Sequence, residues 1–318
     1  MDKKGSLAEE SEYLPSRPQI FVATADDIAC IFYTSGTTGK PKGALLTHQN
    51  LSANIRSLQQ AWRFSSNDVL LHALSLFHIH GLLVAVNISL FTPCRLLFLP
   101  RYDADVLEFL PRATVFMTIP SNYLQLASDR DFLPSVYKNI RLFISGSAPL
   151  PEKTFVSFRE RTGKAILERY GMTETLINVS NPIGLEKIGS CGKPLPGVEL
   201  RITDDKGKSL ETDKVGNIEV RGPNVFKGYW KDEQKSKESF RTDHFFITGD
   251  LGKIDKDGYL TIIGRVKDLI IVGGSNIYPK EVENYIDGIE GIHESVVFGV
   301  PDSRYGERVV AAVTLKKG

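Results

Sequence analysis

The sequence predicts an α/β protein, with a parallel-sheet core, a β-rich subdomain and then the start of a small α+β domain. In the first part of the chain, apolar runs alternate with helical patterns, which indicates repeated strand–helix units and a parallel sheet. After Tyr170 the pattern changes to short strands separated by turn signals at 204–207 and 255–258. A third pattern begins near Gly264, where a Gly-Gly turn at 273–274 separates a strand from a helix. With 318 residues, the chain is long enough for two domains.

The periodicity and end signals of the sequence place the individual elements. The first helix is predicted to be capped near Asn50, with Leu51, Ile55, Leu58 and Trp62 on one face. The strands predicted from apolar runs are 28–32, which we expect to be buried, 44–46, 69–74, 95–99, 114–118, 141–145, 165–168, 198–202, 218–221, 259–263, 269–272, 296–300 and 309–315. The other helices are predicted at 103–110, 121–127, 151–162 and 279–286, with a largely apolar one ending at 91.

Changes in composition divide the chain. The predicted parts are a flexible lead-in (1–25), a core (26–264) with an α/β part (26–170) and a β-rich part (171–264), and a C-terminal part (265–318). Charged residues at 264–268 separate two apolar runs, and we expect the domain boundary there.

The overall composition excludes several classes of partner. A net charge of +1 gives no reason to expect nucleic acid or an anionic membrane. Cys30, Cys94 and Cys191 are widely spaced and form no C-x-x-C, which favours a reducing compartment and unreactive thiols. No apolar run reaches membrane-spanning length, and residues 1–16 lack the apolar stretch of a secretory signal. We therefore expect a cytoplasmic protein, with an organellar matrix as the alternative.

The most informative stretch runs from residue 33 to residue 43 and reads Tyr-Thr-Ser-Gly-Thr-Thr-Gly-Lys-Pro-Lys-Gly. Its glycines let the backbone approach a ligand, and its successive N–H groups can point into one concavity. Hydroxyls add further donors, and Lys40 and Lys42 add positive charge, a combination that suits a polyphosphate. The stretch is not a Walker motif, whose glycines are more widely spaced and whose lysine precedes Ser or Thr. On composition alone, a polar surface loop fits equally well.

Four further segments carry side chains that a nucleotide site could use. His78 and His80 lie between a strand and a helix, a spacing that also fits a weak metal pair or solvated side chains. Small residues at 145–149 end a strand, where a flat ring can lie against the backbone or the chain can simply turn. Glu174 follows a strand end, and a triphosphate arrives with a hard cation that needs few protein carboxylates. Asp250 precedes a predicted strand and could accept hydrogen bonds from both ribose hydroxyls.

In their order along the chain, these segments resemble the signature motifs of the adenylate-forming superfamily of acyl-CoA synthetases, carrier-protein adenylation domains and luciferases. The matching motifs are 33–43, 77–81, 145–149, 168–175, 248–250, 264–268 and 273–283. The resemblance extends from residue 26 to residue 318, and within the superfamily the chain is most similar to malonyl-CoA synthetases. It implies an adenylation core followed by the start of a C-terminal lid domain.

The resemblance implies a role for each motif in binding the nucleotide. It implies that Tyr170 stacks on adenine, Thr173 bonds the α-phosphate, Glu174 holds Mg²⁺, Asp250 binds the ribose and Arg265 reaches the nucleotide. The other residues implied to bind ATP or AMP are Thr34, Ser35, Gly36, Thr37, Thr38, Gly39, Lys40, Lys42, Ser147, Ala148, Glu168, Arg169, Gly171 and Met172.

The resemblance also implies roles near the acyl group and in the lid. It implies that His78 contacts the reacting carboxylate or adenylate and that His80 gates the approach of the acceptor thiol. In the lid, Lys267 occupies the pivot position, and Gly273 and Gly274 help to line the channel for coenzyme A.

One position departs from the malonyl branch. In that branch a cation after the Pro-x-x-Tyr segment pairs with the distal carboxylate of the substrate, helped by a serine that corresponds to Ser147. Here the position is Gln125, which offers hydrogen bonds but no charge. The loss of such a charged contact costs about 1–3 kcal/mol. A monocarboxylate therefore remains an alternative substrate.

The function implied by the resemblance is an AMP-forming acid–CoA ligase that uses a small carboxylic acid, ATP, Mg²⁺ and coenzyme A, with malonate or methylmalonate as leading substrates. Three alternatives remain: a carrier-protein adenylation domain, a monocarboxylate or fatty acyl-CoA synthetase, and a non-catalytic nucleotide-binding fragment. Family members also have a subdomain before the phosphate loop and a lid lysine beyond the position of Lys316. We therefore expect the polypeptide as given to adenylate poorly or not at all.

Overall fold

We describe the fold from a computed structural model, in which residues 22–34, 41–103 and 105–316 are described. The strands in these residues are β1 (Ile28–Thr34), β2 (Lys42–Thr47), β3 (Val69–His72), β4 (Arg95–Phe98), β5 (Val115–Thr118), β6 (Leu142–Ser145), β7 (Ile166–Met172), β8 (Leu176–Ser180), β9 (Lys193–Pro194), β10 (Glu199–Thr203), β11 (Gly216–Arg221), β12 (Phe246–Ile254), β13 (Leu260–Arg265), β14 (Ile270–Val272), β15 (Ser275–Ile277), β16 (Ile292–Asp302) and β17 (Gly306–Leu315). The helices are α1 (His48–Trp62), α2 (Asn87–Phe91), α3 (Asp105–Phe109), α4 (Pro120–Ser128), α5 (Pro134–Tyr137), α6 (Glu152–Thr162), α7 (Glu233–Glu238) and α8 (Pro279–Asp287). A π-helix, His80–Val86, precedes α2, and 3₁₀ turns occur at Leu110–Arg112 and Val266–Asp268.

A seven-stranded sheet in the order β4-β3-β5-β6-β7-β8-β9 forms the centre of the fold. The first five strands in this order pair in parallel, whereas β8 and β9 are antiparallel. Strand β7 joins the two arrangements, since it pairs with β6 as far as Glu168 and with β8 from Arg169 onward. The predicted parallel-sheet α/β core is confirmed.

Helices cover both faces of this sheet. Neighbouring strand residues such as Phe143 and Ile144 belong to different hydrophobic clusters, because successive side chains of a strand point to opposite faces. Tyr123 of α4 and Phe158 of α6 pack on one face. Trp62 of α1 packs on the other and donates its indole N–H to Ser180 at 2.9 Å. The sheet is therefore buried on both sides, as is usual for parallel strands.

Helix α1 is capped by Thr47, so the predicted cap near Asn50 is wrong by one helical turn. The Asn50 N–H donates to Thr47 Oγ1 at 3.1 Å, and the Thr47 N–H donates to Asn50 Oδ1 at 2.8 Å, which makes a reciprocal capping box. The Asn50 amide also donates to the carbonyls of Pro223 and Val225. Asn50 therefore belongs to the cap as its partner within the first turn, and it also links the start of α1 to the β-rich part.

The prediction that strand 28–32 is buried is wrong. Strand β1 pairs antiparallel with β2 in a separate two-stranded sheet. Ile31 and Tyr33 on β1 are exposed, whereas Ala44 and Leu46 on β2 are fully buried. Residues Thr34 and Lys42 are opposite each other in the register.

The predicted β-rich subdomain is confirmed as a four-stranded antiparallel sheet in the order β10-β11-β12-β13. Its apolar face, including Ile218, Val220 and Leu260, packs against Tyr170 and Val179 of the central sheet. This contact holds the β-rich sheet against the end of β7.

A separate sheet in the order β15-β14-β17-β16 follows the 3₁₀ turn at Val266–Asp268. Helix α8 packs on β16, where Asp287 accepts from Ser295 Oγ at 2.6 Å and Glu283 accepts from the Val297 N–H at 3.0 Å. The change of sheet falls within the segment 264–268, where the sequence predicts a boundary.

Other elements differ from the prediction. Strand β7 continues to Met172 instead of ending at 168, because its last residues gain a new partner in β8. Asp250 lies inside β12 rather than before a strand. The elements that were not predicted are the short or polar ones: α5, α7, β8, β9 and β15. No helix among the described residues is long and apolar enough to cross a bilayer.

Candidate functional site

The residues singled out by the motifs gather at the carboxyl ends of the central parallel strands. Ser145 ends β6, and Glu168 is its partner in β7. The segment from Phe77 to His80 follows β3 and lies beside them. Ligands of α/β proteins bind at this edge of the sheet, because the loops that follow the strands converge there.

Two cavities meet at this edge. The small cavity has a volume of about 260 Å³, and its walls include Tyr33, Phe77, His78, His80 and Thr173. The large cavity has a volume of about 480 Å³, and its walls include Ala148, Glu168, Tyr170, Asp250, Arg265 and Lys280. Four residues line both cavities: Ser147, Arg169, Gly171 and Met172. The two cavities are therefore neighbouring parts of one site.

Asp250 lies in the large cavity and is held from two sides. Its Oδ2 accepts from the Tyr170 hydroxyl at 2.7 Å, and its Oδ1 pairs with Arg265 Nε at 3.1 Å. Burial raises the pKa of the Asp250 carboxyl, while the Tyr170 hydrogen bond and the Arg265 charge lower it. A carboxylate oriented in this way can accept hydrogen bonds from hydroxyl groups of a ligand.

Glu174 lies in the turn between β7 and β8 and is also buried. Its Oε1 accepts from the Tyr229 hydroxyl at 2.9 Å. Burial raises the pKa of Glu174, and the charges of Arg265 and Asp250 also act on it, the first lowering and the second raising the pKa.

Lys42 connects the hairpin to this carboxylate. Its Nζ lies 5.5 Å from the centre of the Tyr229 ring, and the Tyr229 hydroxyl contacts Glu174. Residue Thr34 is opposite Lys42 in the hairpin. The motif residues between them, Ser35, Gly36, Thr37, Thr38, Gly39 and Lys40, lie outside the described residues.

His80 begins the π-helix and lines the small cavity. Its Nδ1 lies 3.2 Å from Ser147 Oγ, and its Nε2 has no hydrogen-bond partner among the described residues. Burial lowers the pKa of His80 well below its usual range, and the charge of Arg169 lowers it further. The imidazole is therefore neutral, and its free nitrogen is available to a ligand.

Glu168 is half-buried in the wall of the large cavity. It accepts from the Leu150 N–H at 3.0 Å. Burial raises the pKa of the Glu168 carboxyl to about 7, against the effect of this hydrogen bond. Its charge therefore changes near neutral pH.

The remaining predicted residues lie in different places. His78 is exposed beside the Phe77 ring at 4.5 Å. Lys267 is exposed in the 3₁₀ turn, and Gly273 and Gly274 both have positive φ in the turn between β14 and β15. Gln125 is exposed on α4 and lines neither cavity.

Tyr229 is the contact residue that sequence reasoning missed. It lies in the segment Gly-Tyr-Trp at 228–230, and its hydroxyl is the hydrogen-bond donor to Glu174. A tyrosine next to a glycine signals only a turn, so the sequence pattern alone does not mark it as part of the site.

The family model described as "AMP-binding enzyme" matches residues 1–230, and the model described as "AMP-binding enzyme C-terminal domain" matches residues 281–318. The fold and the site thus define an adenylate-forming protein, and the chain belongs to the AMP-binding enzyme family.

Within this family, the chain is similar in sequence to malonate–CoA ligases. The chain is 39% identical over 311 residues to a malonate–CoA ligase of Arabidopsis thaliana, covering 91% of this chain and 51% of the relative. It is 39% identical over 328 residues to the mitochondrial malonate–CoA ligase ACSF3 of Mus musculus, covering 91% of this chain and 56% of the relative. The chain spans about half the length of these curated relatives.

Solved structures show the same similarity. ATP-bound MatB from Rhodopseudomonas palustris has a TM-score of 0.96 and 49% identity, covering 100% of this chain and 64% of that chain. The apo form of the same protein has the same identity and coverage but a TM-score of 0.88. The arrangement of the chain is therefore more similar to the ATP-bound form than to the apo form.

Proposed function

We propose that the chain carries the nucleotide and acid sites of an AMP-forming acid–CoA ligase, with malonate or methylmalonate as substrate. In the first step a carboxylate oxygen attacks the α-phosphorus of ATP, and pyrophosphate leaves. In the second step the thiol of coenzyme A attacks the acyl carbon, and AMP leaves. The relatives named malonate–CoA ligases support the choice of substrate.

The observation that carries this proposal is the chain of contacts through the site. Lys42, Tyr229 and Glu174 lie in series, and Glu174 is electrostatically coupled to Arg265 and Asp250. Together they can contact the phosphates, the metal and the ribose of a single nucleotide. The small cavity adjoins this nucleotide side through the residues that line both cavities, so an acid bound there lies next to the α-phosphate.

Each side chain then has a defined task. Asp250 accepts from the ribose hydroxyls, and Tyr170 presents its ring to the adenine while its hydroxyl orients Asp250. Thr173 bonds the α-phosphate, and the hairpin segment that ends at Lys42 binds the β- and γ-phosphates. Catalysis comes from positioning and charge neutralisation, and no side-chain nucleophile is needed.

The donor set fits a magnesium ion at Glu174. The Glu174 carboxyl is buried, accepts one hydrogen bond from Tyr229 and has a raised pKa, so a nearby cation would offset the cost of its charge. When bound there, Mg²⁺ would neutralise charge on the phosphates. Tyr229 holds the carboxylate in the orientation that this requires.

The proposal also assigns secondary roles. His78 lies next to the reacting carboxylate, His80 controls access of the thiol, and Lys267, Gly273 and Gly274 belong to the moving C-terminal part. For the compartment, we propose the cytoplasm or an organellar matrix, and the mitochondrial relative supports the latter.

Pyrophosphate exchange tests the proposal. Two forms of the protein are compared, the 318-residue chain and the chain extended to the length of its curated relatives. Binding of ATP to the 318-residue chain is measured by calorimetry. Exchange is then measured on both forms with malonate, methylmalonate, acetate, propionate and butyrate. We expect ATP binding to both forms, and exchange stimulated by malonate or methylmalonate in the extended form. If no short carboxylate stimulates exchange in either form, the ligase proposal is wrong.

The acceptor is tested separately. Free coenzyme A added to the extended form is expected to release AMP and yield an acyl-CoA thioester, detected by mass spectrometry. A protein that forms acyl-adenylate but transfers it only to a phosphopantetheinylated carrier protein would instead be an adenylation domain.

A further inference from the structure

His72 ends strand β3 and is fully buried, and both nitrogens of its ring contact the backbone. Its Nδ1 lies 3.1 Å from the Leu74 nitrogen, and its Nε2 lies 2.9 Å from the Gly81 carbonyl oxygen. A backbone N–H can only donate, so Nδ1 accepts from Leu74, and Nε2 carries the ring proton and donates to Gly81. The two contacts therefore fix the imidazole in one neutral tautomer. Burial lowers the pKa of His72, in agreement with a neutral ring.

These two contacts join the ends of one loop, which we call the 74–81 loop. Leu74 lies two residues after β3, whereas Gly81 lies in the first turn of the π-helix His80–Val86. A Cβ atom at Gly81 would come within 2.3 Å of the Ser75 carbonyl oxygen, so the two ends of the loop are in direct backbone contact. His72 therefore holds the start of the π-helix against the beginning of the loop.

The start of the π-helix determines where the His80 side chain lies. His80 lines the small cavity, where its Nδ1 is 3.2 Å from Ser147 Oγ and its Nε2 has no partner among the described residues. Ile79, which precedes the π-helix, makes no capping hydrogen bond through its side chain in the part of the chain that the structure describes. The Gly81 carbonyl, one residue after His80, is held instead by His72. π-helical turns are rare and occur mostly at functional sites.

The apolar contacts around His72 cannot replace this hydrogen bond. His72 lies on the same face of β3 as Leu70, because alternate side chains of a strand share a face. Leu70 belongs to the same hydrophobic cluster as Val84 and Ala85 of the π-helix. Apolar packing of this kind holds the π-helix against the sheet, but it is non-directional, whereas a hydrogen bond requires a defined distance and angle. The His72 bond thus adds the directional contact.

We propose that His72 is a positioning residue for the ligase reaction. Its Nε2–H group holds the Gly81 carbonyl and so sets the position of the His80 imidazole in the small cavity. This inference rests on the proposed ligase function, in which His80 controls access of the thiol. His72 is not among the described residues that line either cavity, and so it acts through His80. The Leu74 contact fixes the tautomer that makes Nε2 a donor.

The competing role is that of a core residue that only stabilises the fold. The two roles differ in how a change at His72 combines with a change at His80. Loss of core stability acts equally whether or not His80 is present. Loss of positioning has no further effect once the His80 imidazole has been removed, because effects that act through one group are not additive.

Three variants separate the two hydrogen bonds of His72. His72→Gln places an amide N–H near the position of Nε2 and keeps a donor for Gly81. His72→Asn places an amide oxygen near the position of Nδ1 and keeps only an acceptor for Leu74. His72→Phe keeps a ring and removes both contacts. Each variant is made in the extended form of the protein, alone and together with His80→Ala.

The rate of thioester formation from preformed acyl-adenylate and coenzyme A is measured in a single turnover. We expect His72→Phe and His72→Asn each to lower this rate about tenfold or more, and His72→Gln to stay within about threefold of the wild-type protein. In the His80→Ala background, all three should lie within about twofold of His80→Ala alone.

A second readout needs no activity. In nitrogen NMR spectra of histidine-labelled protein, His72 should be a neutral ring with its proton on Nε2. The His80 signals should keep their positions in His72→Gln and shift in His72→Asn. Both spectra can be recorded on protein without ligands.

Tyr123→Phe is the matched control. Tyr123 is also a buried ring, and its hydroxyl donates to the Ile144 carbonyl at 2.9 Å. It packs in the cluster on the other face of the sheet. Urea denaturation gives the stability of every variant. Tyr123→Phe should lower stability without changing the thioester rate or the His80 signals.

Each outcome decides between the roles. Equal losses with and without His80, or losses that only follow stability, would show a structural role and overturn the inference. His72→Asn with the activity and the His80 signals of His72→Gln would also overturn it, as would a His72 ring with its proton on Nδ1. The absence of pyrophosphate exchange with every acid in the wild-type protein would instead refute the proposed function, and the NMR comparison would still test whether His72 positions His80.

Discussion

The buried charged side chains of the site differ in whether they have partners within the protein. The carboxylates of Asp250 and Glu174 are buried, and each accepts a hydrogen bond from a tyrosine hydroxyl. Asp250 also forms an ion pair with Arg265. Arg169, which lines both cavities, is equally buried, but two of its nitrogens have no hydrogen-bond partner among the described residues. The two buried carboxylates are thus held by protein contacts, whereas two nitrogens of Arg169 have no such contact among the described residues.

This difference has an energetic consequence. Interactions already made within the protein orient Asp250 before ATP arrives, so little ordering is left for the binding step. The cost of the unpaired guanidinium of Arg169, by contrast, would be offset if an anion bound beside it.

The largest expected effect is that of Glu174→Gln. The amide keeps the size of the side chain and can still accept a hydrogen bond from Tyr229, but it removes the charge that we propose holds the metal. We expect the pyrophosphate-exchange rate to fall about 100- to 1000-fold, and half-maximal exchange to require more Mg²⁺. A magnesium titration of the exchange rate in both proteins measures this.

Tyr229→Phe is the matched control for that substitution, because it removes only the hydrogen bond to Glu174. Its effect on exchange should stay below about tenfold. Glu174→Gln with an unchanged rate and magnesium dependence would contradict a metal site on this carboxylate.

Asp250→Asn is expected to weaken ATP binding about 10- to 100-fold, since the ribose loses a charged acceptor and Arg265 loses its partner. At neutral pH, the same substitution should increase the free energy of unfolding of the protein without ATP. Burial raises the pKa of Asp250 in the folded state, so its contribution to stability is present at low pH and is lost as the pH rises. Neutral asparagine has no such loss.

Calorimetry and urea denaturation at neutral pH measure these two effects on the same samples. A variant that binds ATP as well as the wild-type protein would contradict the ribose contact. If Asp250→Asn is less stable than the wild-type protein at neutral pH, burial of the charged Asp250 carboxylate does not cost stability as we expect.

The fold class and the order of the motifs could be predicted from the sequence because both depend on local pattern. The alternation of apolar runs and helical patterns predicts the parallel sheet, and the motif at 168–175 predicts residues that bind the nucleotide. The end of β7 could not be predicted, because Arg169 to Met172 pair with β8, a strand that local pattern did not reveal.

Charge pairing in the site could not be predicted for a similar reason. The 168–175 motif predicts that Arg169 binds the nucleotide. Whether its guanidinium has a hydrogen-bond partner depends on how Gly146 and His80 pack around it. The exposed position of Gln125 likewise depends on which face of α4 packs against the sheet. These are tertiary facts that no spacing in the sequence contains.

A smaller effect is expected from Gly146→Ala, which displaces Arg169 from its place against Gly146. The added methyl group would come within 2.2 Å of the Arg169 guanidinium, so Arg169 must move. Overpacking of this kind costs about 1–3 kcal/mol, and we expect kcat/KM for malonate to fall about tenfold with ATP affinity nearly unchanged. Steady-state exchange kinetics and calorimetry check the two parts. Equal losses for malonate and ATP would show that the two sides do not respond separately.

The last expected effect is a change in stability with pH, and it comes from Glu168→Gln. Burial raises the pKa of Glu168 to about 7, above its ordinary value of 4.5, so the folded protein binds a proton more tightly than the unfolded chain. Stability from this group is therefore fully present below its unfolded pKa and is lost as the pH rises toward 7. The wild-type protein should lose about 2 kcal/mol relative to the glutamine variant between pH 5 and pH 7. Urea denaturation of both proteins across that range measures the difference.

Glu199→Gln provides the matched control, since the exposed Glu199 carboxylate pairs with Arg221 and that contact lowers the pKa of Glu199. Stability from Glu199 is lost only as the pH falls below its ordinary pKa of 4.5, so the difference between Glu199→Gln and the wild-type protein should be nearly flat from pH 5 to pH 7. If the Glu168→Gln difference is flat from pH 5 to pH 7, Glu168 is ionised throughout. The wall of the large cavity would then hold a charge at Glu168 throughout that pH range.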